Sequence, residues 1–470
     1  MTRVELDQHT RRLSGGRLVL GGIPPRLFRL TEAGSRWLDV ALSEGDETLS
    51  LGAQRLIYRL RDSGALHLTY EVSPEDTGER LTVVIPVRDQ VAELDRCLTS
   101  LRHAGPQITM IVVDDGSADA GAIRECAARH GVRLIRHDES LGPSAARNAG
   151  AAVASTEFLG FIDADVVVSP DFWIRLVGCL ECSGAAMVAP RVTCRADVES
   201  SVTRYEQSRF PLDMGPARAK LVVGGPVSYV PSAAMVWRRN CFEDVGGFDE
   251  TMRVGEDVDL IWRALDRCDL RYEPASVVVH PPRSEWRAVA AQRYFYGTSA
   301  GPLGRRHHSA VAPARWSVIN VGAVASSLLA PWWVWLASLG VSVKAGTARL
   351  GSLERHDQLN LVMASQRSGI EQAIRSGTRA WWPFTVVLCL ASRRFRLRYA
   401  LGYLLVHLRD RRRCDQEIRP VAWLAASVLD DVSYGCGVWA SMLQSCSFWA
   451  VVPEVVRGPR ANSTPEIVQN

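Results

Sequence analysis

Apolar residues in the middle of the chain form short continuous runs, and stretches with a helical period separate them. The runs are LTVVIPV at 81–87, ITMIVV at 108–113, VRLI at 132–135 and EFLGFI at 157–162. Continuous apolar runs are typical of strands that are buried on both faces of a parallel sheet. The alternation of strands and helices therefore predicts one α/β domain over residues 80–305, with ligands bound beyond the carboxyl ends of its strands.

The first 75 residues have a different pattern, which predicts a separate small unit. A strand-like segment at 16–22 precedes an amphipathic helix, for which Thr31 is a suitable N-cap. A second helix follows within 51–66 and is expected to end at Gly64, and LHLTYEV after it is again strand-like. This order of elements is typical of a winged-helix-like module, and the polar run at 73–80 is predicted to be a linker.

The chain from residue 315 to 470 is predicted to be a mainly helical region that associates with a membrane. Residues 316–343 carry no charged side chain, and this stretch exceeds the roughly 20 residues that cross a bilayer. Pro331 and its tryptophan neighbours would kink such a helix or mark an interface. The arginine clusters at 393–398 and 409–413 would suit an anionic inner leaflet, although solvated helix faces explain them equally well.

Two further apolar stretches in this region are too short or too polar for a span. Residues 380–392 are predicted to form a buried or interfacial helix, and 432–453 a core or interfacial helix. We therefore expect the protein at the cytoplasmic face of the cell membrane, either on its surface or with one transmembrane helix at 316–343.

Composition limits both the cellular compartment that is expected for the protein and the classes of molecule that it is expected to bind. The 55 Lys and Arg residues nearly balance 51 Asp and Glu residues, and a net charge of +4 gives no basis for nucleic-acid binding. The N-terminus lacks the apolar core of a secretory signal, so a reducing, cytoplasmic environment is expected. Cys179 and Cys182 lie in an apolar helix-like run and are predicted to be packing residues rather than a metal or redox pair.

Carboxylates follow two of the predicted strands at the edge where ligands would bind. Asp163 and Asp165 form an Asp-Ala-Asp triplet, and carboxylates at this spacing can hold one Mg²⁺ or Mn²⁺ together with a diphosphate. Asp115, after the second strand, could accept a hydrogen bond from a nucleotide base or a ribose. A turn-forming role is the ordinary alternative for these residues.

Two helix starts supply further candidates. Arg147 lies in the helix that opens at Gly142, where its guanidinium and the backbone amides could face a nucleotide or phosphate. In the run Glu256-Asp257-Val-Asp259, a carboxylate could take the proton of an acceptor hydroxyl, while Asp259 is assigned a capping or structural role.

Two more candidates come later in the chain. His280 closes an apolar strand, where metal ligation and a structural role are about equally expected. Arg293 belongs to a polar-aromatic segment that could close over a diphosphate, hold a sugar acceptor or pack the domain edge.

The order of these motifs is more specific than any one of them. IPVRD, VVDDGS, GPSAARNAG, DAD, GGFDE and GEDVDL follow one another between residues 85 and 260. This series resembles the family 2 glycosyltransferases, whose inverting GT-A fold has a Rossmann-like parallel or mixed sheet and uses a nucleotide-diphospho-sugar donor. The resemblance implies a hexosyltransferase in which Asp115 binds the base, Asp163 the ribose or the metal and Asp165 the metal, while Asp257 is the catalytic base. Further donor-binding residues are expected to be Pro86, Arg147, Glu256 and Arg293.

The N-terminal unit carries a second resemblance. GRLVLGG, RLFRLTEAG and LRDSGALHL are similar to the small peptide-binding chaperones of pyrroloquinoline quinone biosynthesis. Such a module fused to a family 2 transferase resembles the glycosyltransferases of the mycofactocin system. That resemblance implies transfer of glucose from UDP-glucose, building a β-linked oligosaccharide on a peptide-derived redox cofactor, with a precursor peptide bound at the N-terminal module.

Two alternatives stay open. The acceptor could be a polyprenyl phosphate or a cell-envelope glycan, which the apolar stretch at 316–343 favours. The protein could also be a non-catalytic module that recruits a peptide, although the full series of aspartates argues against it. The Q-x-x-R-W motif of many family members is replaced by QRYFYG at 292–297, which argues against a processive polymerase.

Overall fold

The computed structural model describes residues 3–23, 25–45, 49–69, 78–105, 107–351, 353–414, 418–456 and 466–467. The chain divides into two compact units. The first contains Met1–Asp197, Arg209–Pro282 and Pro465–Asn470, and the second contains Val198–Ser208 and Arg283–Thr464. The predicted linker at 73–80 lies outside the described residues except for 78–80.

The N-terminal part of the first unit combines short strands with two helices. In chain order these are β1 (Arg3–Leu6), β2 (Arg11–Leu13), a 3₁₀ turn (Ser14–Gly16), β3 (Leu18–Gly21), β4 (Arg26–Arg29), α1 (Glu32–Glu44), α2 (Leu51–Ser63) and β5 (Leu66–Thr69). β1 pairs antiparallel with β5, and β2, β3 and β4 form an antiparallel sheet, so more strands precede the first helix than the pattern predicted. Thr31 caps α1 as predicted, because its Oγ1 accepts from the amide of Gly34 at 3.0 Å. Gly64 ends α2, also as predicted, with a left-handed φ of 81°.

The rest of the first unit is a mixed sheet with helices between its strands. Its elements are β6 (Leu81–Val87), α3 (Val91–Ala104), β7 (Thr109–Asp115), α4 (Ala120–Arg129), β8 (Arg133–His137), α5 (Pro143–Ala152), β9 (Phe158–Ile162), β10 (Val167–Val168), α6 (Phe172–Ser183), β11 (Met187–Cys194), β12 (Ala219–Lys220), β13 (Ala234–Arg238), α8 (Arg239–Val245), α9 (Glu256–Leu265) and β14 (Leu270–His280). The label α7 belongs to Ser201–Ser208, which lies in the second unit.

The sheet order is β10-β14-β11-β13-β9-β6-β7-β8, and β12 pairs with β14. The predicted strands β6, β7, β8 and β9 pair in parallel, and their carboxyl ends therefore meet at one edge. β13 runs antiparallel to both β9 and β11, which makes the sheet mixed. β6, β7 and β9 are almost entirely buried, as their continuous apolar runs required, whereas the edge strand β8 is only half-buried. The α/β prediction is confirmed.

The N-terminal elements dock on the sheet domain through backbone and side-chain hydrogen bonds. The Sγ of Cys182, on α6, donates to the carbonyl of Leu68 at 3.3 Å, and Arg61 donates to the carbonyl of Cys182 at 3.2 Å. Arg271, on β14, donates to the carbonyl of Arg61 at 2.9 Å. The N-terminal elements also have an apolar core of their own. Its buried residues include Val19, Phe28, Leu38, Ile57, Leu60 and Leu66.

The second unit is mainly helical, as predicted. Besides α7 it contains α10 (Trp286–Gly297), α11 (Ala300–His307), a 3₁₀ turn (His308–Val311), β15 (Arg315–Ser317), α12 (Val321–Leu329), α13 (Trp332–Arg349), α14 (Arg355–Arg379), α15 (Trp382–Ala391), α16 (Arg393–Arg411), α17 (Pro420–Ser445), a 3₁₀ turn (Trp449–Val451) and β16 (Glu454–Val456). β15 and β16 pair in parallel.

The uncharged stretch at 316–343 is not one helix, so the expectation of a single span there is wrong. α12 ends at Leu329, Ala330 is extended with φ −97° and ψ 164°, and α13 begins after Pro331. Proline disfavours the helical conformation of the residue before it, which explains the break. No helix among the described residues combines the length and the apolarity that crossing a membrane requires.

Candidate active site

The carboxyl edge of the sheet brings together residues that are more than a hundred positions apart in sequence. Asp163 and Asp165 follow β9, Arg147 projects from α5, and Glu256 is the first residue of α9. The Nη2 of Arg147 lies 2.6 Å from Asp163 Oδ1, and its Nη1 lies 3.5 Å from Glu256 Oε1. The predicted sites on three separate motifs therefore form one cluster of charges.

Arg147 is the centre of this cluster, and its side chain is 4% exposed. Burial disfavours the guanidinium charge, but the carboxylates of Asp163 and Glu256 outweigh that cost and keep the pKa of Arg147 above its usual value. Burial raises the pKa of Asp163, while the charge of Arg147 opposes the rise. The structure thus gives Arg147 the task of holding two carboxylates in place, in addition to any contact with a phosphate.

Asp165 and His280 form the second part of the site. The Nε2 of His280, at the end of β14, lies 3.2 Å from Asp165 Oδ2, and its Nδ1 lies 2.7 Å from the carbonyl of Pro281. A carbonyl only accepts, so Nδ1 carries the proton and Nε2 is the atom that faces the carboxylate. Burial lowers the pKa of His280, but the hydrogen bond and the charge of Asp165 have the larger combined effect, so that the pKa lies above its usual value.

This pair fits a divalent ion. Histidines that bind metals usually donate a hydrogen bond from the other ring nitrogen, here Nδ1, to a carbonyl or carboxylate. The Asp165 oxygen beside Nε2 offers a second atom that could bind the same ion. Asp163, Asp165 and His280 do not form a set in which one ligand atom from each residue lies within 4.8 Å of the other two. Asp165 and His280 would therefore supply the protein ligands, and diphosphate oxygens would complete the coordination sphere.

Asp257 is the second residue of α9, directly after Glu256 of the cluster. Its Oδ1 accepts from the amide of Val258 at 2.8 Å, and its Oδ2 accepts from the amide of Ser232 at 3.3 Å. Burial, reinforced by the neighbouring charge of Glu256, raises the pKa of Asp257 to about 7, although Arg147 acts against the rise. A carboxylate with a pKa near the working pH is well matched to accept a proton.

We expect the rate of the catalysed reaction to depend on the ionisation of Asp257. Because a general base works only when it is deprotonated, kcat/KM should be constant above pH 8 and fall about tenfold per pH unit below the pKa of about 7. Initial rates between pH 4.5 and 9, at donor concentrations well below KM, measure this acidic limb. A limb near pH 4, typical of an ordinary aspartate, would show that burial does not shift this carboxyl in the working enzyme.

Asp259 has the structural role expected of it. The side chain is fully buried, and Arg263 Nε donates to its Oδ2 at 2.8 Å. The same guanidinium donates to the carbonyls of Val245 and Gly247 at 2.6 Å each. Asp259 therefore fixes the chain that leads into the helix carrying Asp257.

Asp115 receives four hydrogen bonds at the end of β7. The amides of Leu141 and Gly142 donate at 2.9 Å each, Ser140 Oγ donates at 2.8 Å, and His137 Nδ1 lies 2.8 Å away. Burial would raise the pKa of Asp115, but these hydrogen bonds together hold it below the usual range. The carboxylate thus orders the loop before α5, and a nucleotide base would have to share it with these donors. Pro86, on the neighbouring strand β6, is opposite Val113 in the sheet.

Arg293 is placed differently from the other candidates. It lies in the second unit, its side chain is 2% exposed, and its guanidinium pairs with the buried carboxylates of Glu206 and, at 3.3 Å, Asp430. A third contact joins its Nη1 to Gln292 Oε1 at 2.6 Å. Of the alternatives for this segment, the structure therefore supports packing within the unit. Neither Glu206 nor Asp430 was marked by any sequence motif, since each is far from Arg293 along the chain.

The model of the family described as Glycosyl transferase family 2 matches residues 82–246. The pre-mycofactocin glycosyltransferase of two strains of Mycobacterium tuberculosis is 35% identical over 470 residues, which cover 96% of this chain and 97% of that protein. The succinoglycan biosynthesis protein ExoO of Rhizobium meliloti is 27% identical over 195 residues, 39% of this chain and 55% of that protein.

Among solved structures, GalNAc-T7 with UDP, GalNAc and Mn²⁺ aligns with a TM-score of 0.35 and 16% identity, covering 48% of this chain and 51% of that one. Likeness at this level adds nothing to the assignment, which rests on the full-length relative and the family match. The mixed sheet with its carboxylates at the carboxyl edge agrees with both. The chain belongs to the family 2 glycosyltransferases of the mycofactocin system.

Proposed function

We propose that this hexosyltransferase moves glucose from UDP-glucose onto a peptide-derived redox cofactor of the mycofactocin type, with inversion, and builds a β-linked oligosaccharide. The observation that carries the proposal is Asp257, a half-buried carboxylate with a pKa of about 7 at the edge of a charged cluster. The cluster pairs Arg147 with Asp163, and the Asp165–His280 pair lies 3.2 Å apart.

The roles of the chain's own residues follow from this arrangement. Asp165 and His280 would hold a divalent ion, which would supply positive charge beside the leaving nucleoside diphosphate. A histidine ligand suits Mn²⁺ better than Mg²⁺, which prefers oxygen donors alone. Asp163, held by Arg147, is positioned for the ribose, and Asp115 orders the loop that borders the nucleotide.

Asp257 completes the reaction from the side opposite the diphosphate. It accepts the proton of the acceptor hydroxyl as that oxygen bonds to the anomeric carbon and the bond from carbon to diphosphate breaks. Because attack and departure occur on opposite faces, an α-linked donor gives a β-linked product. Glu256, next to Asp257, stays paired with Arg147 at 3.5 Å and supports the position of the base.

A direct assay separates this function from its alternatives. The full-length protein is incubated with Mn²⁺ and with UDP-glucose, UDP-galactose or GDP-mannose, and the acceptor is either a peptide-derived redox cofactor precursor or a polyprenyl phosphate. Mass spectrometry should show hexose addition to the precursor from UDP-glucose. Transfer to polyprenyl phosphate alone would support the envelope-glycan alternative, and transfer to neither acceptor would favour a peptide-recruiting role.

We also propose that the second unit binds the anionic cytoplasmic face of the cell membrane without crossing it. Large apolar side chains are exposed on α13, α15 and α16, including Trp332 at 67% and Leu390 at 78%. The other large exposed apolar residues on these helices include Trp333, Leu336, Phe384, Val387, Leu397, Leu401 and Leu405. Exposed arginines lie on α16 and just beyond it: Arg393, Arg394, Arg396, Arg412 and Arg413. Exposed apolar patches with flanking cations are typical of surfaces that insert into anionic lipid interfaces.

Binding to vesicles tests this membrane proposal. The protein should sediment with phosphatidylglycerol vesicles, and a smaller fraction should sediment with phosphatidylcholine vesicles. Binding to the phosphatidylglycerol vesicles should also decrease in 1 M salt, because screening weakens the attraction between the arginines and the anionic lipid. The double variant Trp332→Ser/Trp333→Ser should lose most of the binding, whereas the control Leu51→Ser, an exposed leucine of the N-terminal module, should keep it. Equal sedimentation of the two variants would contradict the assignment of the surface.

We propose further that the N-terminal module recruits a precursor peptide. Its separate apolar core and its docking on α6 and β14 support a module that keeps its own shape beside the catalytic sheet. Titration of the full chain with a fluorescent precursor peptide tests the role. Saturable binding is expected, and a signal that never saturates would leave the module as a scaffold.

A further inference from the structure

A second cluster of ligand-type side chains, none of them among the catalytic candidates, lies on α3 and α4. Asp95 belongs to α3, Cys126 to α4, and His130 follows the last residue of α4. One donor atom from each of these three side chains lies within 4.8 Å of the other two, and no other group of this kind exists among the described residues. The cluster therefore meets a geometric condition that the catalytic aspartates do not.

The contacts converge on one carboxylate oxygen. Asp95 Oδ1 lies 3.0 Å from His130 Nε2 and 3.7 Å from Cys126 Sγ. In a tetrahedral zinc site with bond lengths of roughly 2.0 to 2.3 Å, neighbouring ligand atoms lie about 3.3 to 3.5 Å apart. The observed separations bracket that range, so an ion could enter with small side-chain rotations and no change in the backbone.

We propose that Asp95, Cys126 and His130 form a binding site for a borderline divalent ion of the Zn²⁺ class. The donor set of one oxygen, one sulfur and one nitrogen suits Zn²⁺ or Co²⁺ and does not suit Mg²⁺. The ion displaces the Cys126 thiol proton to solvent, and the His130 ring proton shifts from Nε2 to Nδ1. The ion then takes over both contacts to the carboxylate, and the fourth coordination position is left for water. Asp95 is 38% exposed, which gives the ion a path from solvent.

Arg129 also contacts the cluster, since its Nη1 lies 3.2 Å from Asp95 Oδ1. Its side chain is 56% exposed and can therefore turn to solvent when an ion binds.

The cluster joins two helices. Asp95 is the fifth residue of α3, Cys126 is the seventh residue of α4, and His130 follows the last residue of α4. An ion bound by these three side chains would therefore link α3 to α4, and none of the three is among the residues assigned to sugar transfer.

Co²⁺ absorption spectroscopy on the full-length, metal-stripped and reduced protein tests the proposal. A cobalt–thiolate charge-transfer band is expected to saturate at one ion per chain and to disappear when Zn²⁺ is added. Cys126→Ser should abolish the band, and His130→Gln should weaken Co²⁺ binding by at least tenfold. Cys446→Ser, which removes an exposed thiol elsewhere, is the matched control and should leave the band unchanged.

Two results would overturn the proposal: no charge-transfer band in the wild type, or the same band in Cys126→Ser. The melting temperatures of the metal-free variants show whether each is folded, since serine has nearly the size of cysteine and can still hydrogen-bond to Asp95. Zn²⁺ should also raise the melting temperature of the wild type and leave that of Cys126→Ser unchanged.

Discussion

Replacement of Asp257 by asparagine is expected to lower the rate of sugar transfer by about 10²- to 10⁴-fold, the usual contribution of a general base. The asparagine side chain has the same shape as aspartate. Its oxygen can still accept a hydrogen bond from the backbone N–H of Val258, which in the wild type donates to Asp257 Oδ1 at 2.8 Å. Asparagine cannot, however, take a proton from the acceptor hydroxyl. The loss should appear in kcat, with little change in the KM for UDP-glucose.

The matched control is Asp266→Asn, which removes the same charge from the exposed far end of the same helix. It should transfer sugar at the wild-type rate. If the two variants were equally active, Asp257 would not be the base.

The same substitution is expected to stabilise the fold at alkaline pH. Because the pKa of Asp257 rises from 3.8 in the unfolded chain to about 7 in the folded protein, ionisation costs stability progressively between these values. The full cost, at most about 4 kcal/mol and less where solvent reaches the carboxyl, is present above pH 7 and absent below pH 3.8. Asp257→Asn should therefore melt at a higher temperature than the wild type at pH 8, and the gap should narrow towards pH 5.

Replacement of Arg293 by methionine is expected to destabilise the second unit by about 3–5 kcal/mol, the usual consequence of removing one partner from a buried ion pair. Glu206 and Asp430 would be left without their shared cation, and burial already raises the pKa of Glu206. Urea unfolding followed by circular dichroism measures the loss. Arg287→Met, an exposed arginine on the same helix, should change stability by less than about 0.5 kcal/mol.

Partial rescue distinguishes a buried ion pair from a ligand-binding residue. Adding Glu206→Gln and Asp430→Asn to Arg293→Met removes the uncompensated charges and should recover part of the stability. The contrary result, an Arg293→Met protein of normal stability whose KM for UDP-glucose rises more than tenfold, would return Arg293 to the donor site.

The features that could be predicted from sequence are those that local pattern determines. Continuous apolar runs marked β6 to β9, and parallel pairing then required Asp115, Asp163 and Asp165 to meet at one edge. The cap at Thr31 and the end of α2 at Gly64 depend on single residues and their neighbours, and both were predicted. Hydrophobic periodicity and helix capping depend on a few neighbouring residues, so they can be predicted without knowledge of the fold.

The features that could not be predicted depend on partners distant in sequence. Arg147 lies between Asp163 and Glu256, which are 16 and 109 residues away along the chain, and no sequence spacing predicts that arrangement. Arg293 follows a polar-aromatic pattern that suits a ligand site equally well, and only the fold reveals its two buried carboxylates. The break at Pro331 was visible as a kink, but whether a proline bends a helix or ends it depends on tertiary packing.

The configuration of the newly formed glycosidic bond tests the central claim most directly. In the proposed mechanism, Asp257, with a pKa of about 7, accepts the proton in a single displacement at the anomeric carbon of an α-linked donor. Nuclear magnetic resonance of the product formed from UDP-glucose, with ¹³C at the anomeric carbon, should show the β-anomer alone, and its formation should be lost in Asp257→Asn. An α-linked product would contradict the account, because retention requires a different mechanism from one displacement assisted by this base.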